Sequence, residues 1–195
     1  MVDPAPPTLR VALELPDTDA EGPGRRYAIW VQGCPLRCAG CCNAELLTFG
    51  GGRLVAPADL IARILAGPAT EGITLLGGEP FAQAAGLAVV AGAVRAAGLG
   101  VMVFTGFTLD DLRARDDPAV ARLLAATDLL VDGTFDRARP DTRRRWVGST
   151  NQRTHALTTR YDPESTAFYA PRTTELRLSD GRLIVSGWPL TGALP

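Results

Sequence analysis

The chain has 195 residues, 46% of them apolar and 21% charged, with 20 Lys plus Arg against 21 Asp plus Glu and a net charge of −1. That describes an ordinary globular protein, long enough for one domain with a real core and short for two. It excludes a general basic surface for nucleic acid or anionic lipid, and no apolar run is long enough to span a bilayer. The N-terminus lacks the pattern of a secretory leader, so the expected location is the cytoplasm.

Residues 1–8 are rich in proline and are expected to be frayed. Tyr27 to Gln32 is an apolar, β-branched and aromatic run, predicting a strand that runs straight into a cysteine-rich loop. Pro57 to Ala66 carries Leu60, Ile61, Ile64 and Leu65 at helical spacing. Gly72 to Leu76 predicts a short buried strand ending in Gly77-Gly78-Glu79-Pro80. Gln83 to Ala97 predicts a helix with Leu87, Val90 and Val94 on one face, closed by Gly98 and Gly100. Val101 to Phe104 predicts a strand ending in Thr105-Gly106-Phe107. A helical stretch from Leu109 to about Ala126 is expected to break at Pro118. Leu129 to Asp132 predicts a strand ending in Gly133. Farther on, Glu175 to Leu178 and Arg182 to Ser186 flank Ser179-Asp180-Gly181, the pattern of a β-hairpin.

Strand and helix alternate, which predicts an α/β fold with a mainly parallel sheet. The chain is expected to form one domain over residues 1–195, with residues 134–195 as an extension packed on the core. In parallel sheets ligands collect at the carboxyl ends of the strands. The cysteines, GGEP, TGF and DG all stand at such ends, so one shared site is expected there.

The four cysteines, at 34, 38, 41 and 42, lie within nine residues. A disulfide framework spreads its cysteines, whereas thiols bunched in one loop read as metal ligands. Cys34-x3-Cys38-x2-Cys41 offers three thiolates, which suit an iron–sulfur cluster or zinc. Structural zinc takes four protein ligands. Cys42 adjoins Cys41 and has trouble reaching the same tetrahedron, and the single histidine, His155, is far away in sequence. Three ligands with no clear fourth suggest a cubane with one open iron. Zinc, or a cluster used only for electron transfer, remains the alternative at this point.

The two glycines of the GGEP turn let a ligand approach the backbone, and Glu79 could hold an ammonium group, although a plain strand-to-helix turn uses the same residues. Gly50-Gly51-Gly52 lacks the spacing of a dinucleotide fingerprint and reads as a loop. The arginine-rich stretch from Arg137 to Arg145 reads as a solvated loop, or as a surface for a partner or a phosphate. His155 reads as a polar loop or core residue, and Trp30 and Trp188 as packing residues.

Taken together these residues resemble the radical S-adenosylmethionine superfamily, and within it the activating enzymes of glycyl-radical enzymes of the anaerobic ribonucleotide reductase type. The likeness runs from Gly22-Pro23-Gly24-Arg25-Arg26 through Trp30-Val31-Gln32-Gly33, CPLRCAGCCN, LLGGEP, FTGF and VDGTF. It continues through Trp146 to Arg153 (WVGSTNQR), the final hairpin and Ser186-Gly187-Trp188-Pro189. The resemblance implies an open, partial (β/α) barrel. It implies that Cys34, Cys38 and Cys41 ligate a [4Fe–4S] cluster whose fourth iron is chelated by S-adenosylmethionine. It places Gly77, Gly78 and Glu79 at the methionine amino group and Gly40, Cys42 and Asn43 near the adenine; Thr105, at a strand end, reads as a residue lining the site or as one placed by β-propensity alone. The implied reaction is reductive cleavage to a 5′-deoxyadenosyl radical that installs a glycyl radical on a ribonucleotide reductase-like partner, with flavodoxin or ferredoxin as electron donor. A radical enzyme acting on a small molecule or peptide is the alternative, and an iron–sulfur carrier or zinc-stapled module is the non-enzymatic one. The residue after the last cluster cysteine is often aromatic in this group; here it is Cys42.

Overall fold

A computed structural model describes residues 7–179 and 181–187. The expectations that rest on residues 1–6, Asp180 and Trp188-Pro189 lie outside these.

Leu9–Thr18 (β1), Arg26–Val31 (β2), Arg53–Val55 (β3), Gly72–Gly77 (β4), Gly100–Phe104 (β5), Leu129–Asp132 (β6) and Arg153–Ala156 (β7) form one sheet in the order β3-β1-β2-β4-β5-β6-β7. The central strands β2, β4, β5 and β6 are parallel, while β1, β3 and β7 add antiparallel edges. Among the described residues the sheet is open at both edges, and the architecture is an open, partial (β/α) barrel. Helices Pro57–Ala66 (α1), Ala84–Ala96 (α2), Leu109–Arg113 (α3) and Pro118–Ala125 (α4) connect the parallel strands. Thr174–Ser179 (β8) and Arg182–Gly187 (β9) form a separate antiparallel hairpin.

Why these segments take these forms is local chemistry. All six residues of β2 are buried, as expected of a strand covered on both faces. Pro57 opens α1, where its missing N–H costs nothing, and Leu60 and Ile64 lie one turn apart on the buried side. The helical stretch expected over 109–126 with a break at Pro118 is indeed two helices. Thr108 and Asp111 form a capping box at the start of α3. Asp117 caps α4 by accepting from the amides of Ala119 and Val120. Pro118 therefore starts a helix rather than kinking one.

The two sheet faces differ. Tyr27, Ile29, Val31, Ile73, Leu75, Val101, Val103 and Leu130 pack under Leu60, Leu87, Val90, Val94, Leu112 and Leu123 of the helices. The opposite face is covered by loops. Ala28, Trp30 and Leu76 meet Leu46 and Ile184, while Met102, Leu129 and Val131 meet Trp146, Val147 and Phe168. Strands β1, β3 and β7 were not expected from sequence. β1 shows the alternation Leu9, Val11, Leu13, Leu15; β7 is a polar RTHA segment that becomes a strand only by pairing with β6. None of the described helices is long and apolar enough to cross a membrane.

Candidate functional site

The carboxyl ends of β2, β4, β5 and β6 meet at a cavity of about 390 Å³, a size typical of small-molecule sites. Cys34, Cys38, Cys41, Cys42 and Asn43 line it from the first loop, Gly77, Gly78 and Glu79 from the second, Thr105 and Gly106 from the third, and Gly133 from the fourth. The predicted convergence is thus observed. Gly40 is not among the lining residues; a Cβ there would press on the Arg137 side chain.

The cysteine loop is held at both ends. The Gly33 and Cys34 amides donate to the carbonyls of Leu46 and Leu47 (2.8 and 3.1 Å). The Gln32 side chain donates to the Thr48 carbonyl (2.8 Å), and Gln83 Nε2 donates to the Gln32 carbonyl (3.0 Å). Burial pushes the Cys34 thiol up, against hydrogen bonds from the Leu36 and Arg37 amides that favour its thiolate. The neighbouring Cys42 thiol, hydrogen-bonded to Cys41, holds Cys41 down at about 6 in spite of burial. That same bond to the Cys41 thiolate, and burial after it, push Cys42 up. Cys42 is thus a thiol tied by hydrogen bond to a ligand candidate.

The GGEP turn packs backbone to backbone on this loop. Gly78 donates to the Val31 carbonyl (2.7 Å) and Glu79 to the Gly33 carbonyl (2.8 Å). A Cβ on Gly78 would sit 2.3 Å from the Gly33 oxygen, and Gly77 has φ +103°, so this approach requires glycine at both positions. Glu79 is 1% exposed. Its Oε1 accepts from the Phe81 amide (2.9 Å) and the Thr105 hydroxyl (2.8 Å), and its Oε2 from the Gly106 amide (2.9 Å). Burial nevertheless pushes it up to about 7. Glu79 is therefore first a brace joining the second loop to the third, a role its sequence context did not reveal.

The far wall comes from residues 134–187. Trp146, with φ +61°, packs edge-on to Phe168 (ring centroids 5.1 Å apart), and its indole N–H donates to the Ala20 carbonyl (3.1 Å). The Arg145 guanidinium lies 4.6 Å from the Trp146 ring centre. The WVGSTNQR segment clamps the end of β6. Gln152 Oε1 accepts from the Gly148 and Ser149 amides (3.0 and 3.1 Å), and its Nε2 donates to the Gly133 carbonyl (2.9 Å). Asn151 donates to the Thr134 carbonyl (2.8 Å), and Arg153 pairs with buried Asp132 (3.1 Å). His155 Nε2 lies 3.0 Å from the same carboxylate, as a structural residue. Burial opposes the ionisation of Asp132, but the Leu109 amide, Arg153 and His155 hold it below the usual carboxylate range. In the arginine-rich stretch, Arg139 pairs with Asp136 and Arg144 with Asp141 (2.7 Å each), so much of its charge is spent internally.

Glu21 was missed. It lines the cavity, accepts from the Gly187 amide, and burial pushes it up to about 7. The signal was its place beside Gly22-Pro23-Gly24.

The donor set suits a [4Fe–4S] cluster. Three thiols of one clamped loop face a cavity, amides are already directed at Cys34, and the opposing GGE turn offers close backbone approach. Among the described residues no three His, Cys, Asp or Glu side chains gather so as to hold one metal ion.

A family described as a 4Fe-4S single cluster domain matches residues 20–155. The anaerobic ribonucleoside-triphosphate reductase-activating protein of Pasteurella multocida (strain Pm70) is 32% identical over 147 residues, 70% of this chain and 90% of that protein. The protein of the same name from Escherichia coli (strain K12) is 32% identical over 144 residues, 70% and 91% of the two chains. The crystal structure of QueE from Escherichia coli overlaps 52% of this chain and 54% of its own with a TM-score of 0.42 and 21% identity. With the cluster motif inside the matched region and nine-tenths of each activating protein covered, this chain belongs to the anaerobic ribonucleoside-triphosphate reductase-activating protein family, on a 4Fe-4S single cluster domain.

Proposed function

We propose that this protein activates an anaerobic ribonucleoside-triphosphate reductase by [4Fe–4S]-dependent reductive cleavage of S-adenosylmethionine, leaving a glycyl radical on the reductase. The observation that carries the reading is the meeting of the CxxxCxxC loop, the GGE turn and Thr105-Gly106 on one cavity. When bound, the reduced cluster supplies one electron to the sulfonium, giving methionine and a 5′-deoxyadenosyl radical.

The protein's own residues bind, orient and exclude water. Cys34, Cys38 and Cys41 hold the cluster. Gly77 and Gly78 bring backbone groups to the methionine amino group, with Glu79 beneath them fixing Thr105 and Gly106. Cys42 and Asn43 lie on the adenine side, with Gly40 at the margin. Trp146, Arg145 and Val185 on the far wall keep water from the reactive space. The chain works as one domain, and the described residues of its 134–195 extension help to cover the site. A low-potential flavodoxin or ferredoxin is the electron donor. The far wall formed by the WVGSTNQR segment supports the activase reading over a small-molecule radical enzyme.

The test is anaerobic reconstitution, reduction with dithionite, and incubation with S-adenosylmethionine and purified reductase. The expected result is 5′-deoxyadenosine together with a glycyl-radical signal on the reductase. A fully loaded cluster giving neither product overturns the reading.

A further inference from the structure

The hairpin β8–β9 has two faces of opposite character. Side chains alternate along each strand, so Glu175, Arg177, Ile184 and Ser186 share one side and Leu176, Leu178, Leu183 and Val185 the other. The first side is anchored to the body. Glu175 accepts from the Asp19 amide (2.7 Å), Ser186 is buried beside Thr18, and Ile184 packs against the group around Leu15 and Trp30. On the second side Leu176, Leu178, Leu183 and Val185 are 57, 78, 56 and 39% exposed.

These four are cross-strand neighbours, Leu176 opposite Val185 and Leu178 opposite Leu183. They form one continuous apolar surface, which marks an interaction site where single exposed leucines would not. The remaining positions of that side, Thr174 and Gly187, carry no charge. Val185 also belongs to the cavity wall. A body seated on the leucines therefore stands at the cavity mouth.

We propose that this face docks the protein substrate, which presents an apolar segment flanking the residue that receives the radical. The inference rests on the activase reading. Continuity with the cavity selects this occupant. The reacting residue must enter the cavity while its flanking chain lies against the rim, whereas a second copy seated there would cover the mouth. An uncharged face also means recognition by apolar burial, with little salt dependence.

The test uses cluster-loaded protein and purified anaerobic reductase, with the Kd measured calorimetrically under argon. Leu178→Asp/Leu183→Asp is expected to raise the Kd at least about tenfold, the effect of losing central apolar anchors. Iron content and dithionite-driven 5′-deoxyadenosine without reductase stay at wild-type levels. Val89→Asp, at an exposed position of α2 on the helical side, leaves the Kd unchanged. If the double variant misfolds by circular dichroism, Leu178→Asp alone carries the same test. Wild-type affinity in the variant, or no binding by the wild type, overturns the proposal. A wild-type dimer that the double variant dissolves assigns the face to a second copy instead. A chain ending at Gly187 that aggregates unless it carries the double substitution assigns it to the following residues. Reductase binding without any 5′-deoxyadenosine defeats the activase reading and leaves the docking face standing.

Discussion

The two faces of the sheet are built on different principles. The helical face is periodic: Leu60 and Ile64 of α1, then Leu87, Val90 and Val94 of α2, repeat at helical spacing over fully buried strand residues. The loop-covered face is irregular and is held by side chains that reach for backbone groups, as Gln32, Glu79 and Gln152 do. Stability is concentrated on the first face and chemistry on the second. A site that must admit cofactor and partner is made where few helices intrude, and its shape is then fixed by hydrogen bonds rather than by packing.

The sharpest way to break this comparison is to strike the chemistry without the fold. Cys38→Ala is expected to abolish cluster loading and all 5′-deoxyadenosine formation, while apo-protein stability in urea changes by less than about 1 kcal/mol. The converse strikes the fold. Leu87→Ala, at a fully buried position, is expected to cost about 2–5 kcal/mol in urea unfolding of the apo protein. Survivors should still load iron normally.

These two substitutions also mark what could be read from the residues. The helical face was legible because its periodicity is local: α1 runs over Pro57–Ala66 as expected, and α2, β5 and β6 differ by a residue at most at either end. The cysteine loop and the GGEP turn stood out because their residue types are rare at such spacing, and the structure brings both to one cavity. β7 was not, because RTHA has no strand pattern of its own and owes its form to β6. Nor was the brace made by Glu79, since its partners Thr105 and Gly106 lie more than 25 residues away. Arg26 belonged to the GPGRR likeness. It proves to be a buried cation at the opposite end of β2, donating to the Tyr161 hydroxyl (2.8 Å) and Thr74 Oγ1 (3.1 Å). Long-range side-chain bonds leave no local trace.

A smaller effect sharpens the contrast. Gln152→Ala strips two amides and one carbonyl of their partner, at a cost of about 1–3 kcal/mol. On the loop-covered face that loss should also loosen the far wall. The KM for S-adenosylmethionine is expected to rise about tenfold at unchanged iron content, which Leu87→Ala should not do.

A further effect is on pH dependence. Burial raises Glu21 from 4.5 in the unfolded chain to about 7 in the folded one. Its contribution to stability is therefore full below about pH 4.5 and is lost as pH rises to about 7. Urea unfolding of the apo protein across this window is expected to show a falling stability, and Glu21→Gln to reduce that slope by up to one proton. An unchanged slope would place the titration elsewhere.

The most direct test of the central claim, one cavity for cluster and S-adenosylmethionine together, is electron paramagnetic resonance of the reduced, reconstituted protein before and after adding S-adenosylmethionine. With about four irons per chain loaded, the cluster signal is predicted to change on addition, because a cluster held by Cys34, Cys38 and Cys41 and S-adenosylmethionine held at the GGE turn would share one cavity. A fully loaded cluster whose signal stays the same at saturating S-adenosylmethionine would contradict the account.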